Sequence, residues 1–232
     1  MADGSTNECV ADKVARVRIN FTVSSQRSVV LECHRAWAPA SYDRFLQLVR
    51  AKFLDGQFFV RAIRGFVLDW NYGPTTGTRG GGSPFYEGLE WFKPAECEKR
   101  LGGTQQRNCV GAVSFGQEED GTTKSEVFIN LSDNSDKLDG LGFWPFARVV
   151  ECCGAAVEGT GSRKRKSAKP AWVKEIEDMI NFEHGDVFFA GGANAEKAHI
   201  RQKVLIAGGN EYIARTYPNL TQIITAEVEE GG

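Results

Sequence analysis

Short strand-like segments bounded by turn residues recur along the chain, and they constrain its fold more than any other feature. Residues 14–20 alternate apolar and polar side chains, with Val17 and Ile19 on one face, as a half-buried strand does. Further strand-like segments are residues 29–33, 58–68, 110–115, 126–131, 144–151 and 223–228. Strands of this length with turns between them predict a mostly β fold, built as a closed or nearly closed antiparallel barrel.

Glycine content agrees with many turns and strand bends, since the chain has 26 glycines and only two methionines. Two helices are nevertheless expected. The first begins near Pro39 with Ser41 as its N-cap, because apolar residues follow at helical spacing. Its apolar face consists of Phe45, Leu48 and Val49. The second begins at Pro170, and its apolar face consists of Val173, Ile176 and Ile180.

The length of 232 residues suits one domain with elaborations, and 41% hydrophobic residues allow a sizeable core. Residues 1–12 are expected to be a disordered tail, and residues 13–232 a single domain. Within that domain we expect a core at about 14–153, an insertion loop at about 154–169 and a C-terminal extension at about 170–232.

Charge and hydropathy exclude several classes of partner. A formal net charge of −2 gives no general reason to expect nucleic-acid binding, and no apolar run is long enough to cross a bilayer. The first residues lack the apolar region of a signal peptide, so a cytoplasmic location is expected. We also expect a monomer, and no cofactor. The basic run at residues 163–166 has two interpretations, a nuclear localisation or nucleic-acid patch and a solvated loop, and we favour the loop.

Six cysteines are scattered along the chain without a C-x-x-C pair, which favours free thiols over a disulfide framework. A bridge between Cys97 and Cys109 is the alternative. The three histidines show no metal-ligand spacing with each other or with cysteine, so no metal site is expected.

Arg61 lies inside an apolar, strand-like segment. Arg61 follows Phe58-Phe59-Val60, and Gly65-Phe66-Val67 comes shortly after it. A charge in such a position is costly to bury unless it has a partner or a function.

This segment resembles the signature of the cyclophilins, the proline cis/trans isomerases, which reads Phe-His-Arg-Val-Ile-Pro-Gly-Phe-Met-x-Gln-Gly. Arg61 falls on the arginine of the signature, with Phe59 before it and Gly65-Phe66 after it. Other blocks resemble the family in the same order, at compatible spacings. They are Trp37-Ala38-Pro39, Thr76-Gly77-Thr78, Ser125-Glu126-Val127-Phe128-Ile129, Leu138-Asp139-Gly140 and Phe143-Trp144-Pro145-Phe146-Ala147-Arg148-Val149.

The resemblance implies an eight-stranded antiparallel barrel capped by helices, and a peptidyl-prolyl cis/trans isomerase acting on X-Pro bonds of proteins. It implies Arg61 as the catalytic residue, and an apolar pocket for the proline ring. Residues that would contact the substrate are Phe66, Val67, Asp69, Gln117, Glu126, Phe128 and Leu138. Proline-containing peptides or proteins are therefore the expected partners.

Several positions depart from the family pattern. Asp69 and Glu126 stand where the family has glutamines, and Lys137 and Gly142 replace residues of the pocket edge. Acidic side chains near an arginine hold it in ion pairs, and Asp69 is the expected partner of Arg61. We therefore expect reduced activity. The alternative is a catalytically weak module with the same fold that binds proline-containing partners.

Overall fold

The structure is a computed structural model that describes residues 12–21, 27–70, 88–157, 169–188 and 195–229. The strands in these ranges are β1 (Val14–Phe21), β2 (Ser28–His34), β3 (Arg61–Ala62), β4 (Val67–Trp70), β5 (Ala112–Phe115), β6 (Val127–Asn130), β7 (Pro145–Cys152), β8 (Ala155–Ala156) and β9 (Ile223–Val228). The helices are α1 (Pro39–Arg50), α2 (Pro94–Arg100), α3 (Ser135–Leu138), α4 (Ala171–Met179) and α5 (Ala195–Thr216), and a 3-10 helix (Asp139–Leu141) follows α3.

The strands form one antiparallel sheet that curls strongly into a half-barrel. Its order is β3-β4-β6-β5-β7-β2-β1-β9, and β8 pairs with β7. The predicted mostly β fold is confirmed, but the described residues do not show the closed eight-stranded barrel, because the strand path is open between β3 and β9. The segment before β3 meets the start of β9 through an isolated bridge between Phe58 and Gln222. The same segment exchanges backbone hydrogen bonds with the start of β9, among them Gly56 N–H to the Ile223 carbonyl and Ile223 N–H to the Gln57 carbonyl, both at 2.7 Å. β3 itself has only two residues and does not pair with β9.

The strand prediction for residues 14–20 is confirmed, and its alternation explains the packing of β1. Val17, Ile19 and Phe21 are fully buried in the main core, whereas the residues between them are at least partly accessible. β1 lies between β2 and β9, so both of its edges are paired. The other predicted strands agree with the structure to within a few residues, except for 58–68.

Helix α1 begins at Pro39 as expected, but the predicted N-cap was wrong. Ser41 lies inside the helix, and the N-cap position is Ala38, which has no side chain that can accept a hydrogen bond. Glu98 of α2 takes over this function. Its carboxylate accepts hydrogen bonds of 2.8 Å from the backbone N–H groups of Ala40 and Ser41, and one of 2.6 Å from the Ser41 hydroxyl. A buried carboxylate from another helix thus satisfies the unpaired N–H groups of the first turn.

Residues 58–68 form a hairpin rather than one strand. The chain reverses between β3 and β4 at Gly65, whose φ of +69° favours glycine. The Ile63 N–H donates to the Val67 carbonyl at 2.9 Å and closes the turn. As a result Arg61 and Asp69 stand directly opposite each other on neighbouring strands.

The C-terminal part builds a second apolar cluster against the segment that leads into β3. Helix α5 is broken at Gly209, where φ is +61° and ψ is −166°. Leu205 and Ile213, on either side of the break, pack with Phe58 and Val60. The remaining buried members of this cluster are Val187, Phe188 and Leu220.

Three predictions fall outside the described residues: the glycine-rich segment with Thr76-Gly77-Thr78, the basic run at 163–166 and the N-terminal tail. The five cysteines that the structure describes are free thiols, so Cys97 and Cys109 are not bridged. In the described parts of the chain, no helix is long and apolar enough to cross a membrane.

Candidate active site

A cleft of about 200 Å³ opens where β4, β5 and β6 meet the helical segment after β6. It contains all eight residues that the sequence singles out, one catalytic and seven substrate-contacting. The β3–β4 hairpin carries four of them, and the segments around β5, β6 and α3 carry the other four. The lining residues are Arg61, Phe66, Val67, Asp69, Gly116, Gln117, Glu126, Phe128, Leu138, Leu141 and Phe143.

Arg61 lies between two carboxylates. Its Nη1 is 3.3 Å from Asp69 Oδ2, and its Nε is 3.0 Å from Asp186 Oδ2. The side chain is 26% exposed, so part of it faces the cleft. Burial lowers the pKa of Arg61, but the charges of Asp69, Asp186 and Glu126 outweigh this effect and raise the pKa. The guanidinium is therefore a permanent cation within an acidic surround.

The expected pair between Arg61 and Asp69 is thus present, but Asp186 is a second partner that the sequence did not reveal. Asp186 belongs to a short segment, residues 185–188, that runs beside β3. The Ala62 N–H donates to the Gly185 carbonyl at 2.9 Å, and the Val187 N–H donates to the Val60 carbonyl at 3.1 Å. No local pattern marks this residue, because its proximity to Arg61 arises from pairing between segments far apart in the sequence.

Asp69 and Glu126 form a carboxyl pair at the base of the cleft. Asp69 is 1% exposed, and burial raises its pKa well above the ordinary value. The charge of Glu126 and a hydrogen bond with Glu126 raise it further, whereas Arg61 lowers it. A carboxyl group beside a second carboxyl group keeps its proton more readily, because both cannot ionise easily at short range. This effect adds to burial in raising the pKa of Asp69.

Gly116 makes room for this carboxyl pair. A Cβ atom at position 116 would lie 2.6 Å from Cδ of Glu126, which is closer than real Cβ contacts. The Gly116 N–H also donates to the Glu126 carbonyl at 2.9 Å. The acidic side chain at 126 therefore depends on the glycine that directly follows β5.

An apolar wall faces the arginine. Val67, Phe128 and Leu138 are each less than 10% exposed and form a cluster of their own, against which Phe66 and Phe143 pack. The rings of Phe128 and Phe143 meet edge to face, with centroids 5.7 Å apart. Such a surface fits a small apolar ring, as a pyrrolidine is.

Polar groups close the two sides of this wall. Gln117 Nε2 donates to the Gly142 carbonyl at 2.9 Å, which ties the strand end to the helical segment. Lys137 Nζ lies 5.2 Å from the centroid of the Phe66 ring, so a cation stands at the rim. Glu118 and Glu119 are not among the residues that line the cleft.

Comparison with known proteins identifies the family. The family model described as cyclophilin type peptidyl-prolyl cis-trans isomerase/CLD matches residues 18–176, which is more than half of the chain. The chain belongs to the cyclophilin-type peptidyl-prolyl cis-trans isomerase family. A curated relative, the peptidyl-prolyl cis-trans isomerase cyp18 of Streptomyces antibioticus, is 29% identical over 135 residues, which cover 55% of this chain and 74% of the relative.

Solved structures of the family are also similar. A cyclophilin type peptidyl-prolyl cis-trans isomerase of Cryptosporidium parvum gives a TM-score of 0.48 at 14% identity, covering 95% of this chain and 100% of that one. A structure of it in the presence of the dipeptide Ala-Pro gives 0.42 at 18% identity, covering 67% and 91%. The Mimivirus cyclophilin gives 0.43 at 18% identity, covering 59% and 73%.

Proposed function

We propose that this cyclophilin-family protein isomerises X-Pro bonds in peptides and proteins, with Arg61 as the catalytic residue and reduced activity. The observation that supports this best is the position of the Arg61 guanidinium in the same cleft as the apolar wall of Phe66, Val67, Phe128 and Leu138. A proline ring against that wall places its nitrogen within the cleft that the guanidinium lines.

The chemistry requires neither a nucleophile nor a metal. Amide resonance gives cis/trans rotation a barrier of ~18–20 kcal/mol, and this resonance is lost as the X-Pro bond twists. The prolyl nitrogen then gains a lone pair, and a donor aimed at it stabilises the twisted state more than either planar form. A guanidinium has five N–H donors. The ion pairs of Arg61 engage Nε and Nη1, so donors remain for the substrate.

The reduced activity follows from the same ion pairs. Arg61 acts through its positive charge, and the Asp186 carboxylate lies 3.0 Å from its Nε. Asp69, 3.3 Å from Nη1, adds to this effect only in its ionised form, which its raised pKa disfavours. Each ionised carboxylate lowers the positive potential at the position of the prolyl nitrogen. The arginine is well oriented by its partners but electrostatically weakened by them.

A second candidate function is that of a binding module for proline-containing partners. The acidic surround of Arg61 favours it, because a cleft can hold a proline ring without lowering the barrier of the bond.

The monomeric state and the cytoplasmic location stay predictions from the sequence.

The test compares wild type with Arg61→Ala on a short X-Pro peptide, in a protease-coupled or NMR exchange assay. We expect measurable acceleration by wild type and its loss in the variant, by roughly 10²-fold or more, as for removal of one preorganised donor. Arg35→Ala is the matched control, since Arg35 also pairs with an aspartate but lies away from the cleft. Equal rates for wild type and Arg61→Ala, with peptide binding retained, would leave the binding module as the better description.

A further inference from the structure

Four side chains that carry sulfur or a carboxylate meet where the β7–β8 hairpin packs against α4. Cys152 ends β7, and Cys153 begins the loop of the hairpin. Their Sγ atoms are 3.7 Å apart, and Cys153 Sγ is 3.4 Å from Met179 Sδ. A carboxylate oxygen of Glu175 lies within 4.8 Å of both thiols. None of these residues lines the active-site cleft.

An unusual backbone brings the two thiols together. Successive residues of a strand point to opposite faces of the sheet, so adjacent cysteines normally hold their sulfur atoms apart. Here Cys153 has a φ of +52° and Gly154 a φ of +81°, which turns the chain in a two-residue hairpin loop. Turns with positive φ at both positions favour Asn, Asp or Gly at the first, and cysteine at this place is an exception. This backbone conformation is strained for a residue other than glycine, and it places the Cys153 sulfur beside that of Cys152.

Helix α4 completes the cluster from the other side. Glu175 and Met179 are four residues apart, so they lie on one face of the helix, one turn from each other. Cys152 is fully buried, whereas Cys153 and Glu175 are exposed. The cluster thus has one sulfur anchored in the core and an opening to solvent through which an ion can enter.

We propose that Cys152, Cys153, Met179 and Glu175 form a binding site for one thiophilic cation, Zn²⁺ or Cu(I). A tetrahedral ion with metal–sulfur bonds of about 2.3 Å holds its sulfur ligands about 3.8 Å apart, and the two thiols are 3.7 Å apart before any ion is bound. Thiolate and thioether ligands select these two ions. Each thiol that becomes a ligand releases its proton to solvent, two protons per ion. The carboxylate favours Zn²⁺, and the thioether favours Cu(I).

The experiment uses the reduced, metal-stripped full chain under anaerobic conditions. Zn²⁺ is titrated in competition with a chromophoric zinc chelator, and Cu(I) with a Cu(I)-specific chelator. We expect one ion per chain. In the double variant Cys152→Ser/Cys153→Ser we expect the affinity to fall by more than about 100-fold, because loss of a residue that only hydrogen-bonds a metal ligand already costs about 10–100-fold, and this variant loses two ligands themselves. Glu175→Gln is expected to weaken Zn²⁺ binding more than Cu(I) binding, and Met179→Leu to do the reverse.

Cys97→Ser is the matched control, because Cys97 is a free thiol on α2 outside the cluster. A Co²⁺ titration followed by thiolate-to-cobalt absorption gives a readout independent of stability, and circular dichroism checks that each variant folds. The proposal is overturned if wild type binds neither ion more tightly than the double variant, or if Cys97→Ser loses as much affinity. It is also overturned if the reduced protein binds no ion and the thiols instead join as a Cys152–Cys153 disulfide on exposure to oxygen.

Discussion

At the scale of single residues, the acidity of the cleft has a measurable cost in stability. Asp69 ionises near pH 3.8 in the unfolded chain, but burial and Glu126 raise its pKa in the folded protein. The folded state therefore binds more protons than the unfolded state between these two values. By linkage, stability falls as pH rises through that window, at up to about 1.4 kcal/mol per pH unit for one group.

Asp69→Asn should remove this contribution. We expect the free energy of unfolding of the variant, relative to that of wild type, to increase as pH rises from 4 toward neutrality. Urea denaturation at several pH values measures both. Asp136→Asn, at an exposed carboxylate of α3, is the control and should show no such trend. A difference between Asp69→Asn and wild type that stays constant with pH would contradict a raised pKa at Asp69.

Gly116 provides a second test at this scale. Gly116→Ala places a Cβ against Glu126 Cδ at 2.6 Å, so Glu126 must move and the carboxyl pair must open. We expect a loss of about 1–3 kcal/mol in stability, as for other overpacked sites, together with a changed isomerase rate. Gly140→Ala is the matched control, since nothing lies within 4 Å of a Cβ there and its φ is not in the left-handed region. Equal stability of the two variants in a thermal melt would show that Glu126 is not constrained by Gly116.

The same scale shows what residue patterns predict and what they miss. Arg61 and the apolar wall are recognisable because they belong to one contiguous motif and its ordered companions. The N-cap prediction at Ser41 was wrong, because the buried carboxylate of Glu98, 57 residues away, accepts hydrogen bonds from the N–H groups of the first helical turn. Asp186 could not be predicted for a related reason. Its partner Arg61 lies 125 residues away in the sequence, and no spacing rule links the two.

At the scale of elements, residues 185–188 act as an added strand that holds β3. Their backbone pairs with β3 and the residue before it, and Val187 and Phe188 anchor the segment in the second apolar cluster. Asp186 is thereby presented to Arg61 by main-chain hydrogen bonds. The carboxylate both orients the guanidinium and offsets its charge.

Asp186→Asn separates these two effects, because asparagine keeps an acceptor oxygen and removes the charge. We expect a faster isomerase rate, by about two- to tenfold, since 1.4 kcal/mol corresponds to a factor of ten, with little change in thermal stability. Glu183→Gln is the control, because it removes one negative charge from the same part of the chain on an exposed side chain. A rate equal to or below that of wild type would show that the charge of Asp186 does not limit Arg61.

Elements were predictable where periodicity is local. The alternation of β1 and the apolar face of α1 both identify buried positions correctly. The β3–β4 hairpin was predicted as one strand, because its residues are apolar on both sides of the reversal and only Gly65 marks the turn. Closure of the sheet could not be read from strand count, since it depends on how long the end strands are.

At the scale of the whole molecule, two apolar clusters share the segment of Phe58 to Val60. Phe59 is buried in the main core, whereas Phe58 and Val60 are buried in the second cluster. Alternate residues of one segment therefore pack into two different parts of the protein. This arrangement couples the C-terminal helix to the cleft through the residues that precede Arg61.

Ile213→Ala tests the coupling. Ile213 is fully buried, and such a truncation costs about 2–5 kcal/mol. We expect a single thermal transition at lower temperature, with isomerase activity lost in the same step. Val204→Ala, at an exposed position of the same helix, should change stability by no more than about 0.5 kcal/mol. An early transition that melts helix α5 while activity persists would show that the two clusters unfold independently.

The pairing of β1 with β9 has a consequence for synthesis on the ribosome. Val17 and Val228 are partners in the sheet, although more than two hundred positions separate them in the sequence. A growing chain therefore exposes the outer edge of β1 until residues 223–228 have left the exit tunnel, and an unpaired edge invites association with other chains. Folding of this protein is therefore completed only after β9 has been translated. Before that point, the unpaired edge of β1 in ribosome-bound intermediates is a surface that chaperones can recognise.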